Sequence, residues 1–182
     1  MTISEKYELL RPKISSGDLI LFHGTSLLSK TIQWADHAYF NHIGVVIDSY
    51  GALFILDANA NGVQSDRLSY RINGYKKYSD FTIISPKENR LNIDRQMAIL
   101  LKRSDDKTIK YDFDNGIKEM FNRATNTNRF KIKENDKAIC SSNVYQYAIN
   151  LNMVTSDFEK LRIAFPQDYI RYANHNNIKI IN

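Results

Sequence analysis

Short apolar runs of strand length alternate along the chain with polar stretches rich in turn-forming residues. LILF (19–22), IGVVI (43–47), LFIL (53–56) and FTIIS (81–85) are β-branched and aromatic and are bounded by Gly, Asp, Ser or Pro, which is the signature of strands rather than helices. The second and third runs are separated by DSYGA, where Gly51 supplies turn geometry. They are expected to form a hairpin that turns through Asp48 to Gly51 and pairs Ile47 with Ala52. Other segments follow the helical period. Ile3, Tyr7 and Leu10 make an amphipathic start that ends at Arg11-Pro12. After Thr25 or Ser26 as cap, Leu27, Leu28, Ile32 and Ala35 form a stripe; residues 91–103 carry Leu91, Met97, Leu100 and Leu101 between charges. Val144, Tyr147, Ala148 and Leu151 stand at i, i+3, i+4 and i+7, so a helix with one buried face should begin at Cys140 or Ser141. The order of elements is that of an α+β domain.

Length fits one domain over 1–182, with residues 1–16 read as an N-terminal extension. The polar, basic stretch TNTNRFKIKENDK makes 123–137 the expected mobile loop. Charge refines the picture only a little. The 25 Lys+Arg against 20 Asp+Glu give +5, but the basic residues are interspersed with acidic ones, which argues against a dedicated nucleic-acid surface. No apolar run reaches the length of a membrane span, and MTISEKYELL lacks the order of a secretory signal, so a cytoplasmic protein without an integral membrane segment is expected. A lone cysteine, Cys140, rules out an intrachain disulfide and fits a reducing compartment.

That cysteine is where the chemistry concentrates. On the first turn of a helix, unpaired N–H groups and the positive end of the macrodipole favour a thiolate, and the same N–H groups can hold an oxyanion. A thiolate nucleophile needs a base, and His42 stands at the mouth of an apolar strand. The expected hairpin register sets Asp57 across from His42, where a carboxylate would fix the imidazole tautomer. A slip of the register would bring Asn59 or Ala58 opposite instead. Asp57 could equally accept turn N–H bonds from the ANANG stretch that follows it. His23, His37, His42 and Cys140 lack the short spacings of zinc ligands, so neither a metal nor another cofactor is expected. Ser141 and Tyr111 are candidates for the oxyanion side, and His23, Trp34 and Tyr39 for the substrate side. The aromatic residues Trp34, Tyr39 and Phe40 would serve either as an acyl pocket or as core.

The ordered series GDLILF, NHIGVVID, FILDANANGV, KYDF and ICSSNVYQYA resembles the circularly permuted NlpC-like, papain-like cysteine hydrolases, in particular the YiiX-like group. The resemblance covers most of residues 17–172. It implies a papain-like antiparallel sheet or partly open barrel packed against helices, with the nucleophile at the start of a helix in the C-terminal half. It implies Cys140 as nucleophile, His42 as general base and Asp57 as orienting acid, with Tyr111-Asp112 matching the family's Tyr-Asp step. The chain departs from the pattern in carrying Asp57 where the family usually has Glu, and Ser142 where it usually has an acidic residue. The activity so implied is hydrolysis of an amide in a peptide or cell-wall-type peptide. The alternatives are a lipid-directed acyltransferase or esterase, and a non-catalytic module that binds a peptide or lipid in the same groove.

Overall fold

The computed structural model describes the chain except residues 60, 61, 75, 76, 105–112, 128, 130, 132–139 and 162, and the backbone alone of 28, 59, 103, 104, 113–116 and 140–143. Six strands form one antiparallel sheet: β1 (Leu19–Gly24), β2 (His42–Ser49), β3 (Ala52–Asn59), β4 (Gly62–Arg67), β5 (Tyr78–Pro86) and β6 (Ile178–Ile181), in the order β4-β3-β2-β1-β5-β6. Seven α-helices stand among the described residues: α1 (Ile3–Leu10), α2 (Leu27–Ala35), α3 (Leu68–Asn73), α4 (Arg90–Ser104), α5 (Phe113–Thr125), α6 (Cys140–Asn150) and α7 (Asp168–Arg171). The molecule is α+β, and none of these helices is long and apolar enough to cross a membrane.

Helices cover both faces of the sheet, and this explains why the LILF run does not alternate with polar residues. From β1, Leu19 and Leu21 join Ile43, Val45, Leu56 and Ile84 in a core built with α4 (Ile93, Met97, Leu100) and α6 (Val144, Tyr147, Ala148, Leu151). Ile20 and Phe22 point the other way and pack with Val46, Ile55, Phe81 and Ile83 against Tyr7, Leu10, Leu68 and Ile72 of α1 and α3. Residues 1–16 are therefore part of the domain rather than an appendage, since Tyr7, Leu10 and Ile14 are buried. Thr2 caps α1 by accepting from the Glu5 N–H, and Glu5 returns a bond to the Thr2 N–H, the reciprocal arrangement that satisfies two otherwise unpaired donors.

The hairpin register differs from expectation by two residues. Ser49, not Ile47, pairs with Ala52, and Gly44 pairs with Asp57. The cause is a tighter turn: Tyr50 (φ 53°) and Gly51 (φ 82°) both adopt left-handed geometry, giving a two-residue turn whose twist matches that of the strands. The shift is even, so every side chain keeps its face. Four elements have no counterpart in the sequence reading: α3, α5, α7 and the edge strand β6. Of the loop expected over 123–137, residues 123–125 close α5, and 128, 130 and 132–137 lie outside the described residues.

At the entry to β1, Asp18 is buried and accepts the Ser15 N–H at 2.8 Å. Beside it, the Tyr147 hydroxyl donates to the Gly17 carbonyl at 2.7 Å, fastening α6 to the start of the strand. Loss of hydration pushes the Asp18 carboxyl up to about 6, against the opposing pull of the Ser15 and Ser85 hydrogen bonds and the Arg90 charge. Between about pH 4 and pH 6 the folded chain binds a proton that the unfolded chain releases, so this residue's contribution to stability falls as pH rises through that window, by about 3 kcal/mol in total. Urea unfolding at intervals across pH 4–6 is expected to show this decline in the wild type and its absence in Asp18→Asn.

Candidate active site

His42 is the first residue of β2, and Asp57 lies near the end of β3. They are diagonal rather than direct neighbours, because the residue paired with Asp57 is Gly44. A Cβ at Gly44 would stand 2.5 Å from the Ile55 side chain and 2.9 Å from the Leu56 carbonyl oxygen. The glycine of His42-Ile43-Gly44 is thus required by the close approach of the two strands, and it leaves no side chain between Asp57 and the imidazole. His42 Nε2 lies 2.6 Å from Asp57 Oδ2. An ionised carboxylate only accepts, so Nε2 carries the hydrogen and the basic lone pair of the neutral ring is on Nδ1.

Asp57 is 1% exposed and its second oxygen is also engaged: Oδ1 accepts from Arg71 Nη2 at 3.0 Å. Arg71, on α3, reaches Asp66 Oδ2 on β4 with the same nitrogen at 2.7 Å. A buried carboxylate is thereby held between an imidazole and a guanidinium, with a further carboxylate balancing the cation. The imidazole lies near-parallel to the Tyr78 ring at a centroid distance of 5.9 Å, with Phe22 at 6.2 Å. Those contacts restrict its rotation while its side chain keeps 15% exposure.

Cys140 is the first residue of α6, as its helical spacing predicts. Its side chain and that of Ser141 are outside the described residues, as is the whole of Tyr111. The helix packs on the face of β2 that carries Ile43 and Val45, whereas His42 shares the opposite face with Val46 and Phe22. A thiol on α6 would have to meet the imidazole around the start of β2, not across the body of the sheet.

The substrate-side candidates separate. Trp34 is 70% exposed on α2 and belongs to none of the core clusters. His23 and Tyr39 form a unit of their own: their rings stack at 4.2 Å, and His23 Nδ1 lies 2.7 Å from the Tyr39 carbonyl oxygen. The Tyr39 hydroxyl donates to Asp80 Oδ2 at 3.0 Å, and Lys6 holds the other oxygen of Asp80 at 2.7 Å. Burial and then this bond to Asp80 raise the Tyr39 phenol above its ordinary value. Among the described residues, no group of three or more His, Cys, Asp or Glu is placed to hold a metal ion.

The class defined by these observations is an α+β protein with one antiparallel sheet covered by helices on both faces and an imidazole–carboxylate–guanidinium cluster around the buried Asp57. No protein-family model matches the chain, and no curated protein matches it. Among solved structures, the metalloprotein yiiX from Escherichia coli O157:H7, DUF1105, is similar with a TM-score of 0.58 and 15% identity, over 92% of this chain and 96% of that one. The fold is thus of the YiiX type.

Arg71 is the site residue that sequence reasoning missed. It lies in DRLSYRIN, an unremarkable polar stretch, and only the fold carries it beneath Asp57. Removing one member of a buried ion pair leaves an uncompensated charge, so Arg71→Met is expected to lower stability by about 3–5 kcal/mol. Chemical unfolding measures the loss, and Arg71→Lys should recover only part of it because one ammonium cannot reproduce the guanidinium's planar fork.

Proposed function

We propose that the chain is a thiol hydrolase of the circularly permuted NlpC-like, papain-like kind, cleaving an amide in a peptide or cell-wall-type peptide. The observation that carries this reading is the His42–Asp57 contact at 2.6 Å with Arg71 behind it, joined to the placement of Cys140 at the first residue of α6. Support comes also from the His42-Ile43-Gly44 step and from the likeness of fold to yiiX.

In this reading His42 Nδ1 takes the proton of the Cys140 thiol, and the sulfur attacks the carbonyl carbon. N–H groups of the first turn of α6 stabilise the oxyanion, and the imidazolium, steadied by Asp57, returns the proton to the leaving amine. The carbon–nitrogen bond breaks and a thioester to Cys140 remains. Water, deprotonated by the same imidazole, then releases the acid and regenerates the thiol. The shorter Asp57 in place of the family's usual Glu is accommodated by the diagonal placement across Gly44, which brings the carboxylate within direct hydrogen-bond distance.

The similar yiiX is a metalloprotein. The pair described here does not fit a cation, because Arg71 already places a positive charge on the carboxylate that would have to serve as ligand. No step of the proposed reaction passes through a metal.

Alkylation of Cys140 with iodoacetamide across a pH series is expected to reveal a thiol ionising well below the free-cysteine value of about 8.5, and His42→Ala should abolish or alter that depression. A panel of peptides, muropeptides and acyl lipids incubated with wild type and Cys140→Ser identifies the bond cleaved. Slow alkylation with an undepressed profile and no turnover of the panel would instead assign the groove to binding, and turnover confined to the lipids would assign it to ester or acyl-transfer chemistry.

A further inference from the structure

In the β2–β3 ladder Gly44 pairs with Asp57. On the other side, β1 pairs Phe22 with His42 as its last rung. His42 therefore stands at the very start of β2, where the segment leading into it sets the approach of its backbone. That segment, 37–41, begins with His37 at φ 47° and belongs to no helix or strand.

Its hydrogen bonds have an unexpected source. The N–H groups of Tyr39 and Phe40, successive residues, both donate to one atom, Gln167 Oε1, at 2.9 and 3.0 Å. Gln167 immediately precedes α7, and its neighbour Asp168 is 1% exposed. Asp168 accepts from the Phe165 N–H at 2.8 Å, from Arg123 at 2.9 Å and from Arg171 at 3.1 Å. Arg171 also binds both carboxylate oxygens of Asp36 at 3.1 Å and the His37 carbonyl at 3.2 Å. Residue 167 is thus mounted on a rigid support that grips the start of the same segment whose end it holds. The next residue, Asn41, is fixed in turn: its N–H donates to the Phe22 carbonyl at 3.0 Å and its Oδ1 accepts the Gly24 N–H at 2.7 Å.

We infer that Gln167 is a positioning residue for His42: its side-chain carbonyl oxygen, by accepting two consecutive backbone N–H groups, sets the entry of the chain into β2 and hence the aim of the imidazole. Only the acceptor oxygen is used. A carboxylate at the same reach keeps the function and a methyl group loses it, since two N–H groups then need a new partner.

This inference rests on His42 as the base of the proposed hydrolase, and the first readouts are chosen to be independent of turnover. In wild type, amide hydrogen exchange at Tyr39 and Phe40 should be protected; exchange at the rate of an open loop would overturn the proposal without any variant. Proton NMR of the nitrogen-bound His42 hydrogen on the Asp57 side should show that resonance shifted or broadened in Gln167→Ala and restored in Gln167→Glu. An unchanged resonance in folded Gln167→Ala, or no restoration in Gln167→Glu, overturns it. With a substrate in hand, Gln167→Ala should lower kcat about tenfold or more with KM within about twofold, because a misaimed base impairs the chemical step rather than binding. A loss confined to KM overturns the assignment. Failure of the hydrolase reading would appear differently, as intact NMR and exchange signatures in a protein that turns over none of the tested substrates.

Discussion

One carboxylate organises this molecule. Asp57 is taken wholly out of water, a placement that costs several kcal/mol unless partners replace hydration. Its two oxygens find those partners on two different elements: the imidazole at the start of β2 and the guanidinium on α3. The arrangement imposes conditions on residues that have no chemistry of their own. Gly44 must lack a side chain, the hairpin must keep its even register, and α3 must dock with Arg71 beneath β3. Asp66 then keeps the cation from being the excess charge of the cluster. A cluster of this kind holds the imidazole in one tautomer and one orientation, as the proposed general base requires.

Much of this was legible in the sequence, and the reasons differ residue by residue. The strands at 19–22, 43–47, 53–56 and 81–85 were visible because a sheet covered on both faces writes itself as continuous β-branched runs. The start of α6 at Cys140 or Ser141 follows from the stripe of Val144, Tyr147, Ala148 and Leu151, and the helix begins at Cys140. The partnership of His42 with Asp57 was reached through a register two residues out; it survived because side-chain facing depends only on parity. The turn itself was misjudged, since Tyr50 in left-handed geometry carries no sequence flag comparable to Asn-Gly. The edge strand β6 escaped because IKII is brief and follows the polar ANHNN, and its pairing with β5 is decided by tertiary contact. Arg71 and Gln167 were beyond reach for a related reason: each acts through a contact that only the folded chain creates, 14 and 127 or more residues away in sequence.

The second charged cluster shows a different use of the same physics. Asp36, Arg123, Asp168 and Arg171 come from α2's end, α5 and α7, and two of the four are carboxylates with almost no exposure. Among the described residues, the hydrophobic cluster joining these elements consists of Ala35, Met120 and Phe165 with Ile32 and Ala124 partly buried beside it. Desolvation works against the charge on Arg123, but Asp168 and Asp36 outweigh it and raise its basicity. Here geometry is specified by directional ion pairs, each requiring its particular partner. Such an interface gains precision rather than bulk stability.

The Gln167 clamp also bears on how the molecule comes together in time. Tyr39 is joined to a residue 128 positions later, and Gly17 to Tyr147 across 130. Contacts of such separation close large loops and form after local hairpins such as β2–β3. The His42–Asp57 pair, 15 residues apart, can therefore assemble early on the hairpin, while the segment that aims the imidazole is locked only when α7 docks. Nascent or partly opened chains would hold the imidazole in contact with its carboxylate yet unaimed, so in the proposed hydrolase competence is the last property acquired on folding and the first surrendered on local opening.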